Sequence, residues 1–368
     1  MLRPSPRRPD GPTLLPVGRG WWVVLALGTA AVAGCGGSKR QPPNGSGGVV
    51  VFHRIAISTG NRGFGASARR DRIIVFQTLG NTADLARAKA ANRKVVALAY
   101  VDPFRLHPAN WGNTCMTDAE AASHGWDSGV VGAYGGHVPR LDAPGYAEAC
   151  LKEILARLAA SRPRWDGVLL DDVNCACDPR GSPEQSYAGA DGARWRAAED
   201  HLDAVLSAGL HRAGYLVFAN MGAWGAQDLG SGGWETTQLR WFDGAEDEYF
   251  LNWGDGTPQD TPTALAGIAA LRSSQQQGKW FLADTPTTDP ARVRLALALV
   301  LLYTRGKASL YAPTPATLTQ ADRSWSVYGD AARLGRPLGP ARGLTRRFEH
   351  GTVRVDPGAQ TGEIRVEG

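Results

Sequence analysis

The sequence predicts an α/β fold, a (β/α)8 or TIM barrel that carries a small C-terminal β appendage. Apolar runs of strand length alternate with helical segments from residue 49 to residue 312, a span close to the about 250 residues typical of this barrel. Several of these runs end directly on a carboxylate, and the carboxyl ends of barrel strands meet on one face. No G-x-G-x-x-G turn follows the first strand, which disfavours the alternative of a doubly wound sheet.

Eight strands are predicted because eight apolar runs have the length and composition of strands buried on both faces. They cover residues 49–58, 72–78, 94–102, 167–173, 215–222, 244–250, 279–285 and 308–312. The segments between them place apolar residues at helical spacing, which predicts helices over residues 81–92, 144–161, 191–212, 261–277 and 290–304. Residues 103–143 predict a long loop of the kind that is usually functional or carries small elements of its own.

The C-terminal residues break the alternation of strands and helices. Residues 346–357 predict a hairpin that turns at His350 and Gly351, and residues 363–366 predict one further strand. We expect this appendage to cover one end of the barrel and to share its core. The predicted domains are therefore a barrel over 49–332 and a β element over 333–368.

The N-terminal segment predicts export and membrane anchoring. Residues 1–34 combine arginines with an apolar stretch too short to span a bilayer, which is the pattern of a signal peptide. The run Val32-Ala33-Gly34-Cys35 resembles a bacterial lipobox, in which Cys35 would be lipidated; an ordinary secretory signal is the alternative. Residues 35–48 are rich in Gly, Ser, Pro and Asn and predict a flexible tether. We therefore expect an extracytoplasmic, extracellular lipoprotein held at a bacterial membrane.

The net charge limits the classes of partner that the protein is expected to bind. The net charge is +5, and the first 34 residues hold four arginines and one aspartate, so the remainder carries only +2, which gives no electrostatic signal for nucleic acid. We expect a monomer without a cofactor.

Cys115, Cys150, Cys175 and Cys177 predict two disulfides in an oxidising compartment. We favour pairings that fasten the Cys175–Cys177 loop to the segments near Cys115 and Cys150, although three connectivities are possible.

Carboxylates fall repeatedly at the ends of predicted strands. They are Asp102, Asp171, Asp172, Glu246, Asp247, Glu248 and Asp284, with Asn220 at the end of the fifth strand and the aromatic residues Tyr100, Trp111, Trp224 and Trp253 nearby. Because successive side chains of a strand point to opposite faces, Asp171 and Asp172 cannot have the same role. Paired carboxylates over a barrel mouth suit glycoside hydrolysis, which needs one acid and one nucleophile or base.

Two other uses of the same residues remain open. A barrel that binds sugar without hydrolysing it, as a carbohydrate-binding surface lipoprotein, would keep the aromatic residues and lose the need for two matched acids. A metal-dependent enzyme could hold Mg²⁺ or Ca²⁺ with Asp171, Asp172 and Asp284. The seven histidines show no zinc motif, so we predict no zinc site.

Three motifs carry a family resemblance: WDGVLLDDV at 165–173, FDGAEDEYF at 242–250 and GLTRRFEHGTVRVDP at 343–357. Together they resemble a hypothetical glycoside hydrolase family of TIM-barrel proteins, related to endo-α-1,4-polygalactosaminidase-type families. The resemblance implies hydrolysis of a polysaccharide by the fourth-strand acid and the sixth-strand glutamate. These are Asp171, with Asp172 as the alternative, and Glu248, with Glu246 still possible. Asp102, Asn220, Trp253, Asp284 and Tyr100 would then bind the sugar.

Overall fold

The computed structural model describes residues 50–55, 72–108, 112–132, 136–173, 193–222, 238–312 and 327–367 of the 368-residue chain. All of them belong to the unit Pro43–Gly368. The predicted signal peptide and tether lie outside the described residues. So do Cys35, Trp111, Trp224, Cys175 and Cys177.

Eight parallel strands close into a barrel within the described residues, so the predicted fold class is confirmed. In chain order the strands up to the end of the barrel are β1 Val50–Ile55, β2 Ile73–Phe76, β3 Val96–Val101, β4 Asp127–Val131, β5 His137–Pro139, β6 Gly167–Leu170, β7 Leu216–Asn220, β8 Gly244–Asp247, β9 Trp280–Asp284 and β10 Ala308–Tyr311. Around the barrel the order is β1, β2, β3, β6, β7, β8, β9, β10 and back to β1. The sixth barrel strand, β8, is shorter than predicted, because the chain turns after Asp247.

Helices lie between the strands, and the longer ones pack on the outside of the barrel. The helices are α1 Thr82–Ala91, α2 Asp118–Ser123, α3 Tyr146–Ala160, α4 Ala193–Arg212, α5 Thr261–Gln276, α6 Pro290–Tyr303 and α7 Val327–Arg333. Two of them begin with an aspartate cap followed by proline: Asp260 accepts the backbone N–H of Thr263, and Asp289 accepts that of Ala291. A capping carboxylate satisfies an otherwise unpaired donor and complements the helix dipole. Within the described residues, none of the helices has both the length and the apolar character that a membrane span requires.

The barrel interior is filled by alternate residues of the strands. The inner cluster consists of Ile73, Val75, Val96, Leu98, Tyr100, Leu169, Phe218, Trp280, Leu282 and Tyr311. The intervening residues, such as Val168 and Ala219, face the helices and join a second cluster. Since the side-chain period of a strand is two, this parity places Asp171, Asn220, Glu246 and Asp284 on the inner face at the carboxyl end.

The segment 103–143 contains more structure than the predicted loop. It includes helix α2, which begins with a reciprocal cap between Thr117 and Glu120, and the antiparallel pair β4–β5. Cys115 in this segment forms a disulfide with Cys150 of α3, with their Cα atoms 5.0 Å apart. The favoured pairing of Cys115 and Cys150 with the Cys175–Cys177 loop is therefore wrong. Spacing along the chain gave no information on which Cα atoms come within the reach of a disulfide.

The C-terminal strands form an antiparallel sheet: β11 Thr345–Phe348, β12 Gly351–Asp356 and β13 Thr361–Val366. The sheet packs on α6, whereas the sequence predicted that it would cover one end of the barrel. A Cβ atom at Gly362 of β13 would lie 2.8 Å from the Ala298 Cβ atom of α6, so the two elements are in close contact. This covering explains why α6 is apolar and buried on nearly all sides.

Candidate active site

One amide joins two carboxylates at the carboxyl end of the barrel. The side-chain nitrogen of Asn220 donates to Asp171 Oδ1 at 2.7 Å and to Glu248 Oε2 at 2.6 Å. Because both bonds share this nitrogen, the two carboxylate oxygens are separated by no more than the sum of the bonds, about 5.3 Å. Three residues that the sequence places on separate predicted strands therefore meet at one point.

The barrel backbone fixes all three side chains. Asp171 directly follows β6, and its N–H donates to the Val101 carbonyl at 2.8 Å, which extends the β3–β6 ladder. Asn220 is the last residue of β7, and its Oδ1 accepts the Gly222 N–H at 3.0 Å. Glu248 lies in the turn directly after β8. Asp171 and Asn220 are buried, whereas Glu248 is half-buried and so remains open to an incoming molecule.

Tyr100, a predicted sugar contact, lies beside Asp171. It lies on the inner face of β3 and is buried, and its hydroxyl donates to Asp171 Oδ2. Each oxygen of Asp171 thus accepts a hydrogen bond, one from Tyr100 and one from Asn220. Hydrogen bonds to an ionised carboxylate stabilise its charged form. The Tyr100 hydroxyl therefore stabilises the ionised Asp171, whereas the sequence predicted Tyr100 only as a sugar contact.

Asp172 has a different partner from Asp171. Its backbone φ is 55°, in the left-handed region that few non-glycine residues adopt. Its Oδ2 lies 3.0 Å from Nε of Arg105, whose side chain is buried. The sequence analysis did not select Arg105, because a single arginine in a predicted loop carries no distinguishing signal. The pairing of Asp172 with Arg105 leaves Asp171 as the member of this pair that contacts Asn220.

Asp102 is held by its own turn. Its backbone N–H donates to the Asn113 carbonyl at 2.7 Å, and its Oδ1 accepts the Phe104 N–H at 3.0 Å. Burial raises the pKa of Asp102 to about 7, even though the Arg105 charge and the backbone donors act in the opposite direction. Within the described residues it makes no hydrogen bond to Asp171 or Glu248. The structure thus places Asp102 beside the site and does not join it to the carboxylate pair.

The other acids at the ends of β8 and β9 divide between the two faces of the barrel wall. Glu246 is fully buried on the inner face, paired in register with Asn220. Asp247 points outward, since a Cβ atom on Gly267 of α5 would lie 3.0 Å from its Oδ2. Burial, with the neighbouring Glu246 and Glu248 charges, raises the pKa of Asp247 well above its usual range. Asp284 ends β9 on the inner face and is buried.

Trp253 lies in the loop after β8 and is half-buried. Its ring centroid is 6.3 Å from that of Tyr249, which the sequence analysis did not select. Tyr249 lies within the FDGAEDEYF motif and the predicted strand 244–250, so the motif was a signal that could have identified it. Among the described residues, no three His, Cys, Asp or Glu side chains form a group that could hold a metal ion.

A (β/α)8 barrel with two carboxylates close together at its mouth has the architecture of a glycoside hydrolase, which cleaves an acetal with such a pair. The chain belongs to hypothetical glycosyl hydrolase family 15, whose family model matches residues 133–352. This match confirms the resemblance drawn from the three motifs. The description of this family is that of a hypothetical glycosyl hydrolase, a class of enzyme that acts on carbohydrates.

Three solved structures are similar to this chain at low sequence identity, and the first of them supports the fold. A chitinase from Chromobacterium violaceum has a TM-score of 0.50 and 13% identity, over 77% of this chain and 98% of that one. An α-L-fucosidase from Paenibacillus thiaminolyticus has a TM-score of 0.47 and 16% identity, over 77% of this chain and 48% of that one. The chain therefore spans about half the length of the fucosidase. Ega3 of Aspergillus fumigatus, solved with galactosamine, has a TM-score of 0.43 and 11% identity, over 76% of this chain and 95% of that one. No curated protein matches the chain.

Proposed function

We propose that this protein hydrolyses a glycosidic bond of an extracellular polysaccharide, with Asp171 and Glu248 as the catalytic pair. The observation that carries the proposal is the pair of hydrogen bonds from one Asn220 nitrogen to both carboxylates. This geometry brings together a buried carboxylate and a half-buried one at the barrel mouth, where catalytic residues of such barrels sit.

The surroundings of each carboxylate suggest its role. Asp171 accepts hydrogen bonds from Tyr100 and Asn220, which favour the ionised form that a nucleophile requires. Glu248 is more exposed and would be the acid. Asp172 is instead paired with Arg105. Asp284 and Trp253 remain our candidates for sugar contacts.

The spacing favours retention of configuration at the anomeric carbon. Carboxyl groups about 5–5.5 Å apart are typical of retaining enzymes, and about 6.5–9.5 Å of inverting ones. The upper limit of about 5.3 Å on the separation of the two bridged oxygens lies below the inverting range. In the first step Glu248 gives its proton to the glycosidic oxygen, the C1–O bond breaks, and an Asp171 oxygen bonds to C1. In the second step water attacks C1, Glu248 takes a proton from that water, and Asp171 leaves.

The experiment measures the release of reducing ends from a panel of bacterial exopolysaccharides and cell-wall glycans. We expect Asp171→Asn and Glu248→Gln each to lower kcat by at least about 10²–10⁴-fold, the usual contribution of a catalytic acid or base. Asp172→Asn is the matched control, since it changes the adjacent carboxylate that faces Arg105, and we expect it to keep most of the activity. Proton NMR of the first product should show the anomer of the substrate.

Two results would count against this assignment. Activity that survives Asp171→Asn but not Asp172→Asn would transfer the nucleophile to the other aspartate. Binding to a glycan without release of reducing ends, in a folded wild-type protein, would favour a carbohydrate-binding lipoprotein.

We further propose that the protein is extracytoplasmic and anchored by a lipid on Cys35, on the basis of its signal-like N-terminus and the small residues before Cys35. The test is mass spectrometry of the N-terminal peptide from membranes of a bacterial host. A diacylglyceryl cysteine in wild type that is absent in Cys35→Ser supports the anchor. An N-terminus at any other residue, in a soluble exported protein, contradicts it.

A further inference from the structure

The amide of Asn220 is held by three hydrogen bonds and not only by the two that reach the carboxylates. Its Oδ1 accepts the Gly222 N–H at 3.0 Å, so a rotated amide would set its NH₂ group against a second donor. Asn220 is only 3% exposed and ends a strand that is paired on both sides, with β6 and with β8. Both amide hydrogens are therefore directed at Asp171 and Glu248.

We propose that Asn220 is a positioning residue that holds Asp171 and Glu248 apart and keeps them as two separately titrating groups. The proposal rests on the proposed function, because it concerns the same carboxylate pair. It also changes the predicted role of Asn220. Its N–H groups are bonded to carboxylates, and a sugar hydroxyl could accept from them only after one of these bonds breaks.

The physical reason is the behaviour of neighbouring carboxylates. Two carboxyl groups in direct contact share one proton, and the titration of one of them is displaced strongly upward. An amide between them gives each one a hydrogen-bond donor and occupies the space in which a shared proton would lie. The bridge therefore permits a short separation without forming a proton-sharing dyad. Such a separation suits a retaining pair, in which one group must be ionised while the other is protonated.

Other charged groups surround this pair and limit what can be attributed to Asn220. Among the residues that the structure describes, the titratable side chains on the inner face at this end of the barrel are Tyr100 of β3, Asp171 after β6, Glu246 and Glu248 of β8 and its turn, Asp284 of β9 and Tyr311 of β10. Asp102, Asp172 and Arg105 belong to the turns after β3 and β6. Only Asp171 and Glu248 accept from Asn220, so the predicted change is confined to these two.

The experiment is a carbon-13 NMR titration of side-chain carboxyl groups in the whole protein, which needs no substrate. Asp171 and Glu248 are assigned by the signals lost in Asp171→Asn and Glu248→Gln. In Asn220→Leu we expect one of the two to titrate at least about 1 pH unit higher than in wild type. In the double variant Asn220→Leu with Glu248→Gln, the displacement of Asp171 should shrink, because its neighbour no longer carries a charge.

Gln275 provides a matched control at the other end of the barrel. Its Nε2 donates to the carbonyls of Lys279 and Lys307, both at 3.0 Å, and its Oε1 accepts the Arg305 N–H at 2.9 Å. It thus makes the same three bonds as Asn220, but to carbonyls in place of carboxylates. Gln275→Leu loses an equally buried amide and should leave both titrations unchanged. If Asn220→Leu does not fold, Asn220→Ser removes the two-donor bridge with a smaller change.

The outcomes separate this inference from the proposed function. Unchanged titrations of Asp171 and Glu248 in a folded Asn220 variant would refute the positioning role, whatever the glycan panel shows. If the titrations are displaced but the protein cleaves no glycan, the positioning role of Asn220 is supported and the proposed hydrolase activity is contradicted. Where a glycan is cleaved, a positioning role lowers kcat by about 10-fold or more and changes its pH profile, whereas a sugar contact raises KM alone and contradicts the proposal.

Discussion

The pH dependence of stability gives a sharp test, because Asp102 is a buried acid with a displaced pKa. In the folded protein its pKa is about 7, against 3.8 for the ordinary group, and burial is the main cause. The folded state therefore holds the Asp102 proton more tightly than the unfolded state. This contribution to stability is complete below about pH 4 and is lost as the pH rises to about 7.

The size of the effect follows from the shift. One unit of pKa corresponds to about 1.4 kcal/mol, so the loss between pH 4 and pH 8 is of order 4 kcal/mol. Asp102→Asn removes the titration and keeps an oxygen that can accept the Phe104 N–H. We therefore expect the free energy of unfolding of Asp102→Asn, relative to wild type, to rise by about that amount over this range.

The assay is urea unfolding of both proteins at several pH values from 4 to 8. Asp356→Asn is the control, because Asp356 also accepts a backbone N–H, from Ala359 at 3.0 Å, but is exposed. Its difference from wild type should vary little with pH. If the difference for Asp102→Asn is equally constant, the carboxyl of Asp102 does not keep its proton to near neutral pH, and the account of its burial fails.

Three further changes have expected results. Tyr100→Phe removes a hydrogen-bond donor from Asp171. We expect kcat to fall about 10- to 100-fold, which corresponds to the free energy of a hydrogen bond to a charged group. An unchanged acidic limb of the pH–rate profile would contradict the role of Tyr100 in stabilising the ionised Asp171. Arg346→Met should lower the free energy of unfolding by about 2–3 kcal/mol, since Arg346 donates to the carbonyls of Leu301 at 2.8 Å and Thr304 at 2.6 Å at the end of α6; the exposed neighbour Arg347→Met should change it little. Cys115→Ser should lower the free energy of unfolding, measured by chemical denaturation, by about 3–4 kcal/mol, because the disulfide closes a separation of 35 residues. Reduction of the wild-type protein should lower it by the same amount.

The sequence was sufficient for the fold because the barrel depends on features that are local. Each strand is buried on both faces, so it reads as a continuous apolar run, and each run is followed by a helical segment. The rule that carboxyl ends of parallel strands converge then brings Asp171, Asn220 and the Glu246–Glu248 acids to one place. The structure joins Asp171, Asn220 and Glu248 through the bridge, which depends on hydrogen-bond distances that no pattern contains, and it turns Asp247 toward α5.

The sequence does not show which alternate residues of a strand face the barrel interior, nor where the chain turns at the end of a strand. Alternation separates Asp171 from Asp172, but whether the odd or the even residues of β6 face inward depends on the closure of the whole barrel. The end of β8 at Asp247 was missed because the following Glu248, Tyr249 and Phe250 continue to look like a strand. In the same way, α6 was readable as buried, whereas its covering by β12 and β13 depends on tertiary packing far along the chain.

The acids around the barrel mouth differ in what surrounds them, and this difference is the reason to select two of them. Asp172 is paired with Arg105, Asp247 faces α5 with a raised pKa, and Asp102 keeps its proton to near neutral pH. Asp171 and Glu248 instead share the amide of Asn220. A barrel that only bound sugar would need no such link between carboxylates, since hydroxyl groups can be bound by acids in any arrangement. A fixed and short separation is needed when a proton and a covalent bond must be exchanged at the same acetal carbon and its leaving oxygen.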